Sequence, residues 1–196
     1  MISKVIRAFY RGNNPLSRFA ITLKREYRVK EWQGKEEKVL EISGGRRPLS
    51  TEYLNVDVDN QPEVDVLANL LDPLPFSEGE VDRIVSVATL EHFNITHVRK
   101  VLAEMHRVLK SGGTLEIGVP SLPKIIAAYE QEGCTDTIIR YIHGAQKDEY
   151  DVHYFVVDGK RFCEELLGVG FASAEEVEYD YPRHDADKMM KLVAKK

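Results

Sequence analysis

The stretch Val39–Asp59, VLEISGGRRPLSTEYLNVDVD, decides the fold of this chain. A short apolar run leads into Ser43-Gly44-Gly45, and a second apolar run ends on Asp57. A strand, a glycine turn and a second strand that ends on a carboxylate are the expected pattern of a nucleoside-cofactor site. Glycine lets the backbone approach a ligand closely, and the carboxylate can accept hydrogen bonds from two ribose hydroxyls. Ser43 stands where a glycine is expected, so this stretch alone is a weak signal.

Composition and length indicate the class of protein. The chain has 196 residues, 43% of them hydrophobic and 30% charged, which is typical of one globular domain and disfavours disorder and coiled coil. Its two cysteines, Cys134 and Cys163, form no metal-binding pattern, so we expect reduced thiols. No apolar run approaches the roughly 18 residues of a membrane span, and basic residues interrupt any signal-peptide core. We therefore expect a soluble, cytoplasmic protein.

Basic charge is concentrated at the start of the chain. The net charge is −5, yet residues 1–30 hold eight Lys or Arg residues and a single acid, Glu26. Apolar spacing predicts two helical segments, over residues 2–10 and from about Leu16 to Trp32. One interpretation is a basic amphipathic arm that contacts an anionic membrane or acceptor; the other, which we favour, is a helical pair packed on the main domain. The predicted division is a basic helical arm over residues 1–38 and a main domain over residues 39–196.

The link that follows the glycine turn supports the packed arm. Only eight residues, Arg46 to Tyr53, separate Gly45 from Leu54. A parallel crossover takes about a dozen or more residues and is usually a helix. One sheet face is therefore left uncovered, and the N-terminal helices are the nearest elements that can cover it.

Strands and helices alternate along the rest of the chain. Apolar runs predict strands over residues 65–68, 81–88 and 114–119. A helix between the last two of these is predicted to have Thr96 as its N-cap and to end at Lys110-Ser111-Gly112-Gly113. After Pro120 the pattern indicates helices over 122–131, 136–141 and 158–168, then an antiparallel hairpin of strands in 169–181 and 189–195. The order predicts an α/β, doubly wound, mostly parallel sheet with an antiparallel late strand and an N-terminal helical arm.

An ordered series of motifs resembles the class I S-adenosylmethionine-dependent methyltransferases, in their type 11-like branch. The segment LEISGGRRP resembles their first motif, NVDVD the strand with the ribose-binding acid, LANLLDPLPF the segment beside the adenine, and VDRIVSVATLEHF the fourth-strand motif. The segment VRKVLAEMHRVLKSGGTLEIGVPS resembles the helix, Gly-Gly turn and fifth strand, and LLGVGFASAEEVEY the late helix-to-strand segment. The resemblance covers roughly Val39–Lys196 and implies a Rossmann-like methyltransferase fold.

The resemblance also implies a site for S-adenosyl-L-methionine. It implies Glu41 near the methionine amino end and Asp57 at the ribose hydroxyls. The other implied contacts are the turn residues Ser43, Gly44 and Gly45 along the methionine moiety, Asn69 and Leu70 beside the adenine, and Ala88 and Thr89 beneath the sulfonium.

Methyl transfer from a sulfonium is an in-line displacement, so the cofactor supplies the reactivity and the protein supplies orientation. A base helps only where the acceptor loses a proton. His153, in the polar loop after the fifth strand, is the first candidate, and the alternative is a loop histidine with a structural hydrogen bond. His92, in LEHF, is the second, and the alternative is that it fixes the following loop. No spacing of His, Asp and Glu predicts a metal site.

The predicted function is methyl transfer to oxygen or nitrogen of a small or carrier-linked acceptor, with a saccharide or glycolipid suggested by the basic arm and the resemblance. The acidic main domain disfavours a nucleic-acid partner, as does the lack of an Asn-Pro-Pro-aromatic signature after the fourth strand. The main alternative is a degenerate methyltransferase fold that binds a ligand or partner without catalysis, motivated by Ser43. A nicotinamide-dependent reductase is less favoured, because it requires G-x-G-x-x-G opening a long helix.

Overall fold

A computed structural model describes residues 15–196, and the helix predicted over residues 2–10 lies outside them. The helices are α1 (Pro15–Gln33), α2 (Ile95–Val108), α3 (Leu122–Glu132), α4 (Asp136–His143) and α5 (Gly159–Val169), with a short 3-10 helix at Leu90–His92. The strands are β1 (Val39–Ile42), β2 (Leu54–Asp57), β3 (Val66–Leu67), β4 (Val81–Val87), β5 (Leu109–Pro120), β6 (Ser173–Val177) and β7 (Met189–Lys195).

The seven strands form one sheet in the order β3-β2-β1-β4-β5-β7-β6. The first five strands are parallel, and β7 is antiparallel to both of its neighbours, β5 and β6. Every residue of β1 and β2 is buried, as expected of parallel strands covered on both faces. The predicted α/β sheet with an antiparallel late strand is therefore confirmed. Because the strand order reverses between β1 and β4, the switch point lies at their carboxyl ends.

Helix α1 packs on the sheet beside β2. Its Trp32 is 1% exposed, lies 5.5 Å from the Phe76 ring between centroids, and donates from Nε1 to the Val39 carbonyl at 2.9 Å. Arg25 Nε donates to the Val64 carbonyl at 3.0 Å. The predicted packing of the second N-terminal helix is thus confirmed. None of the helices described here has the length and apolar character that crossing a membrane requires.

Two predicted boundaries around α2 are wrong. The N-cap is Asn94 rather than Thr96, because the Asn94 side chain accepts the N–H of His97 at 3.0 Å. The strand β5 begins at Leu109 rather than Thr114. A register shift opposite Val81–Arg83, where Gly112 takes a φ of 78°, lets the chain pass from helix to strand without a separate loop.

Candidate functional site

Two non-glycine residues with left-handed backbone mark the tips of the two central strands. Ser43 follows β1 with a φ of 58°, and Ala88 follows β4 with a φ of 55°. Such a backbone costs about 1–2 kcal/mol for an L residue and is found preferentially at functional sites. Both residues line one cavity, which places that cavity at the switch point.

The glycine turn is shaped by contacts with β1 and β2. A Cβ on Gly44 would lie 2.6 Å from Asn55 Oδ1 and 2.9 Å from the Glu41 carboxylate, so only glycine fits there. Gly45 has a φ of 55°, and a Cβ on it would meet nothing nearer than Asp57 Oδ2 at 3.9 Å. The turn is therefore tightly packed at Gly44, against Asn55 and Glu41, whereas the Cα of Gly45 has open space beside it.

Asp57, at the carboxyl end of β2, holds this turn and the chain beyond it. Its Oδ2 accepts the Gly45 N–H at 3.0 Å, and its Oδ1 accepts the Asp59 N–H at 2.8 Å. A carboxylate has about four lone-pair sites, so each oxygen retains one for a further donor. The free lone pairs of the Asp57 carboxylate fit the ribose hydroxyls of a nucleoside cofactor, and the open space beside Gly45 lets that cofactor approach the backbone. Asp57 and Gly45 are therefore the residues that would hold the ribose.

Glu41 has its carboxylate occupied by the protein itself. Leu49 donates its N–H to one oxygen at 2.7 Å, and Arg183 Nη2 lies 3.3 Å from the other. Burial raises the pKa of Glu41, while the Leu49 N–H and the Arg183 charge act against that rise. The short link after the glycine turn is therefore folded back onto β1 by Glu41.

Of the nine predicted cofactor contacts, only Ser43 and Ala88 line this cavity, and those outside its lining are Glu41, Gly44, Gly45, Asp57, Asn69, Leu70 and Thr89. Asn69 is exposed, and its Oδ1 accepts the Leu71 N–H at 3.0 Å. Leu70 is 7% exposed and belongs to the main hydrophobic core. Thr89 is buried, and its hydroxyl donates to the Val87 carbonyl at 3.3 Å. Their assignment to the adenine and the sulfonium stays a prediction.

The cavity brings together segments that are far apart in the sequence. It has a volume of about 490 Å³, and its lining includes Ser43, Ala88, Glu91, His92, His153 and Arg183. The strand tips form one part of the wall, the 3-10 helix after β4 a second, and the loop before α5 a third. Both histidines predicted as bases thus share one cavity with Ser43 and Ala88.

The two histidines are held in matching ways. His92 Nδ1 lies 3.2 Å from the Val152 carbonyl, and His153 Nδ1 lies 2.9 Å from the Tyr141 carbonyl. A carbonyl can only accept, so each Nδ1 carries the hydrogen and each neutral ring keeps its lone pair on Nε2. The ring centroids are 4.9 Å apart. Burial lowers the pKa of both imidazoles, which favours these neutral forms.

Glu91 is the site residue that the sequence analysis missed. Its side chain is 1% exposed, and its Oε2 has no hydrogen-bond partner among the described residues. Burial raises the pKa of Glu91 to about 8, against hydrogen bonds from the backbone of Glu91 and Thr89. One ligand atom each from Glu91, His92 and His153 lie within 4.8 Å of one another. The available signal was an acid placed directly beside His92 in LEHF.

Part of the chain matches a known protein family. Residues 44–117 match the family described as Methyltransferase domain. No curated protein matches the chain. The match confirms the resemblance read from the motifs, and it supports an enzyme with S-adenosylmethionine as cofactor.

Solved structures share the fold at low sequence identity. An S-adenosylmethionine-dependent methyltransferase from Thermotoga maritima, described as a possible histamine N-methyltransferase, matches with a TM-score of 0.55 and 16% identity over 91% of this chain and 96% of its own. One from Archaeoglobus fulgidus gives a TM-score of 0.56 and 14% identity over 91% and 94%. The CMeT domain of the citrinin polyketide synthase gives 0.55 and 13% over 98% and 56%. These likenesses show the methyltransferase fold.

Proposed function

We propose that this chain, whose residues 44–117 match a methyltransferase domain, transfers a methyl group from S-adenosylmethionine to oxygen or nitrogen of a small or carrier-linked acceptor. The observation that carries the proposal is the cavity at the switch point. Ser43, the first residue of the glycine turn, and Ala88, which follows β4, line it, and so do Glu91, His92 and His153. A polar cavity beside a cofactor turn is where an acceptor and a methyl donor can meet.

The residues of the glycine turn would bind and orient the cofactor. Asp57 would accept from the ribose hydroxyls, and the open face of Gly45 would let the cofactor approach the backbone. Glu41 would act as a positioning residue, because it holds Leu49 and Arg183 rather than presenting a free carboxylate. When bound, the cofactor supplies an electrophilic methyl on its sulfonium.

An acceptor that carries a hydroxyl or a protonated nitrogen must lose a proton on methylation. The Nε2 lone pairs of His153 and His92 are the acceptors that we assign to this proton, because each Nδ1 is already engaged with a carbonyl. Positioned proton transfer of this kind contributes typically about 10²–10⁴-fold to a rate. His153→Ala and His92→Ala should lower kcat within that range and leave cofactor affinity unchanged.

The rim of the cavity favours a polar acceptor. Arg140 is exposed, lines the cavity and makes no ion pair within residues 15–196, and Lys147 lines the same cavity. Such donors suit the hydroxyls of a saccharide or a glycolipid headgroup. Two neighbours add classes to test: a possible histamine N-methyltransferase points to amines, and a polyketide synthase domain points to carrier-linked acyl groups.

A glycolipid acceptor would also use the exposed face of α1. Leu16, Phe19, Leu23 and Tyr27 recur at helical spacing and are 71%, 63%, 48% and 66% exposed, on a helix that also carries several Lys and Arg residues. A basic amphipathic helix of this kind binds anionic lipid surfaces. Sedimentation with anionic vesicles should retain the protein, and Phe19→Glu should weaken that retention.

Product formation tests the proposal directly. The full chain is incubated with S-adenosylmethionine and a panel of saccharides, glycolipids, amines and carrier-linked acyl groups, and the demethylated cofactor is measured. We expect acceptor-dependent release with one class, lowered in His153→Ala. Cofactor binding without turnover on any class would favour the second candidate, a non-catalytic ligand-binding fold, which the serine at position 43 motivates.

A further inference from the structure

The cavity wall contains the imidazole rings of His92 and His153 and the carboxyl group of Glu91, whose Oε2 has no hydrogen-bond partner among the described residues. His92 and His153 use Nδ1 for the Val152 and Tyr141 carbonyls, so their Nε2 lone pairs remain available. Metal-binding histidines commonly donate their other ring N–H to a carbonyl, which fixes the tautomer and the ring orientation. The hydrogen bonds of both rings therefore fix the tautomer that such metal-binding histidines adopt.

Glu91 supplies the third group. Its side chain is 1% exposed, and its Oε2 lacks a hydrogen-bond partner in the described part of the chain. Burial of a carboxylate without a partner is costly, and buried charges are normally paired or coordinate a metal. Arg183 lines the same cavity, but its guanidinium is engaged with Glu41.

We propose that Glu91, His92 and His153 bind a divalent transition-metal ion, with Zn²⁺ as the representative ligand, through one carboxylate oxygen and two Nε2 atoms. Two histidines and a glutamate are an established donor set for catalytic zinc, which keeps a further position open. One donor atom from each of the three residues lies within 4.8 Å of the others. Side-chain rotations that bring each donor to roughly 2.0–2.2 Å from a common ion would complete the site. The cavity provides space for the open position.

The three proposed ligands form no metal-binding motif in the sequence, because they come from two distant segments. Glu91 and His92 are adjacent on the 3-10 helix, whereas His153 comes from the loop that precedes α5. The backbone joins the two segments, since the Glu91 carbonyl accepts the Tyr154 N–H at 2.7 Å. The third ligand is therefore held next to the first two by a main-chain hydrogen bond.

Metal binding at this site does not depend on methyltransferase activity. The two would compete, however, because both use the Nε2 lone pairs of His92 and His153. An Nε2 lone pair that binds zinc cannot accept a proton from the acceptor. Zinc should therefore slow any turnover that uses His153 or His92 as the base. The cation site itself is tested without cofactor or acceptor, so its failure and that of the proposed function are separate results.

The experiment is titration of the full chain with Zn²⁺ by calorimetry and with Co²⁺ by visible absorption, after removal of metal with a chelator. We expect one equivalent to bind, with affinity lowered about 10-fold or more in Glu91→Gln, His92→Ala and His153→Ala, because these remove direct ligands. Glu91→Gln keeps the size and shape of the side chain, and circular dichroism of each variant reports folding.

His184→Asn is the matched control. His184 lines the same cavity outside the proposed cluster and has a φ of 64°, a backbone that asparagine tolerates. We expect it to retain the affinity of the unaltered chain for Zn²⁺. The proposal is overturned if the folded His92→Ala/His153→Ala double variant binds Zn²⁺ as tightly as the unaltered chain, or if the unaltered chain binds no equivalent at all.

Discussion

The Arg183 guanidinium lies 3.3 Å from the Glu41 carboxylate, so the loop before the last strand is tied to the first strand. The Glu41 side chain is 2% exposed and that of Arg183 is 24% exposed. Removal of one partner of a buried ion pair typically costs about 3–5 kcal/mol, because the other charge stays buried. Since this pair is partly exposed on the arginine side, Arg183→Met should lower the free energy of unfolding at neutral pH by about 3 kcal/mol.

The cost of Arg183→Met should depend on pH. Burial raises the pKa of Glu41 above its ordinary 4.5, and Arg183 partly offsets that rise. A carboxyl with a raised folded pKa loses stability as pH increases from its unfolded pKa through its folded pKa. Without Arg183 this loss is larger, so urea unfolding should show a greater penalty at pH 8 than at pH 4.5. Equal penalties would contradict the assignment, and the exposed Arg47→Met serves as control.

Ser43→Gly should stabilise the chain. The left-handed backbone of Ser43 costs about 1 kcal/mol that glycine avoids, so the free energy of unfolding should rise by about that amount. Gly45→Ala is the reciprocal control. It introduces an L residue at a similar left-handed φ, and the added Cβ has no contact closer than 3.9 Å, so only the backbone strain should destabilise the chain. Chemical denaturation of both variants should give shifts of opposite sign. A destabilised Ser43→Gly would show that the serine hydroxyl has a structural role.

Trp32→Ala should show how much α1 contributes to the fold. Trp32 is among the largest fully buried side chains, and truncation of such a residue costs about 3–5 kcal/mol. Tyr27→Ala on the same helix is the matched control, because Tyr27 is 66% exposed and should change stability by less than about 0.5 kcal/mol. Similar effects of both variants on the denaturation midpoint would mean that the helix does not pack as described.

Local patterns predict most of the fold because the strands are short apolar runs bounded by turn residues. The link Arg46 to Tyr53 is too short for a crossover helix, and this predicted that α1 covers the sheet near β1 and β2. Trp32 of α1 is indeed part of the main hydrophobic core. The boundaries around α2 were mispredicted for local reasons. Asn94 competes with Thr96 for the same capping role, and the bulge beside Gly112 has no clear sequence pattern.

The site was less predictable because its contacts are long-range. The motif LEHF pointed to His92, but the burial of Glu91 depends on the packing of the segment around His153. Arg183 reaches Glu41 from a late loop in which no pattern marks it. The sequence showed a serine at position 43 where a glycine is expected, and the structure adds that this serine has a left-handed backbone.

The central claim is that Asp57 and the glycine turn bind S-adenosylmethionine, and calorimetric titration of the full chain with that cofactor tests it most directly. We predict one equivalent bound, weakened about 10- to 100-fold in Asp57→Ala, because hydrogen bonds to charged groups contribute about 1.5–3 kcal/mol. The exposed Asp59→Ala is the control and should bind as the unaltered chain does. No binding by the unaltered chain at millimolar cofactor, or equal binding by a folded Asp57→Ala, would contradict the account.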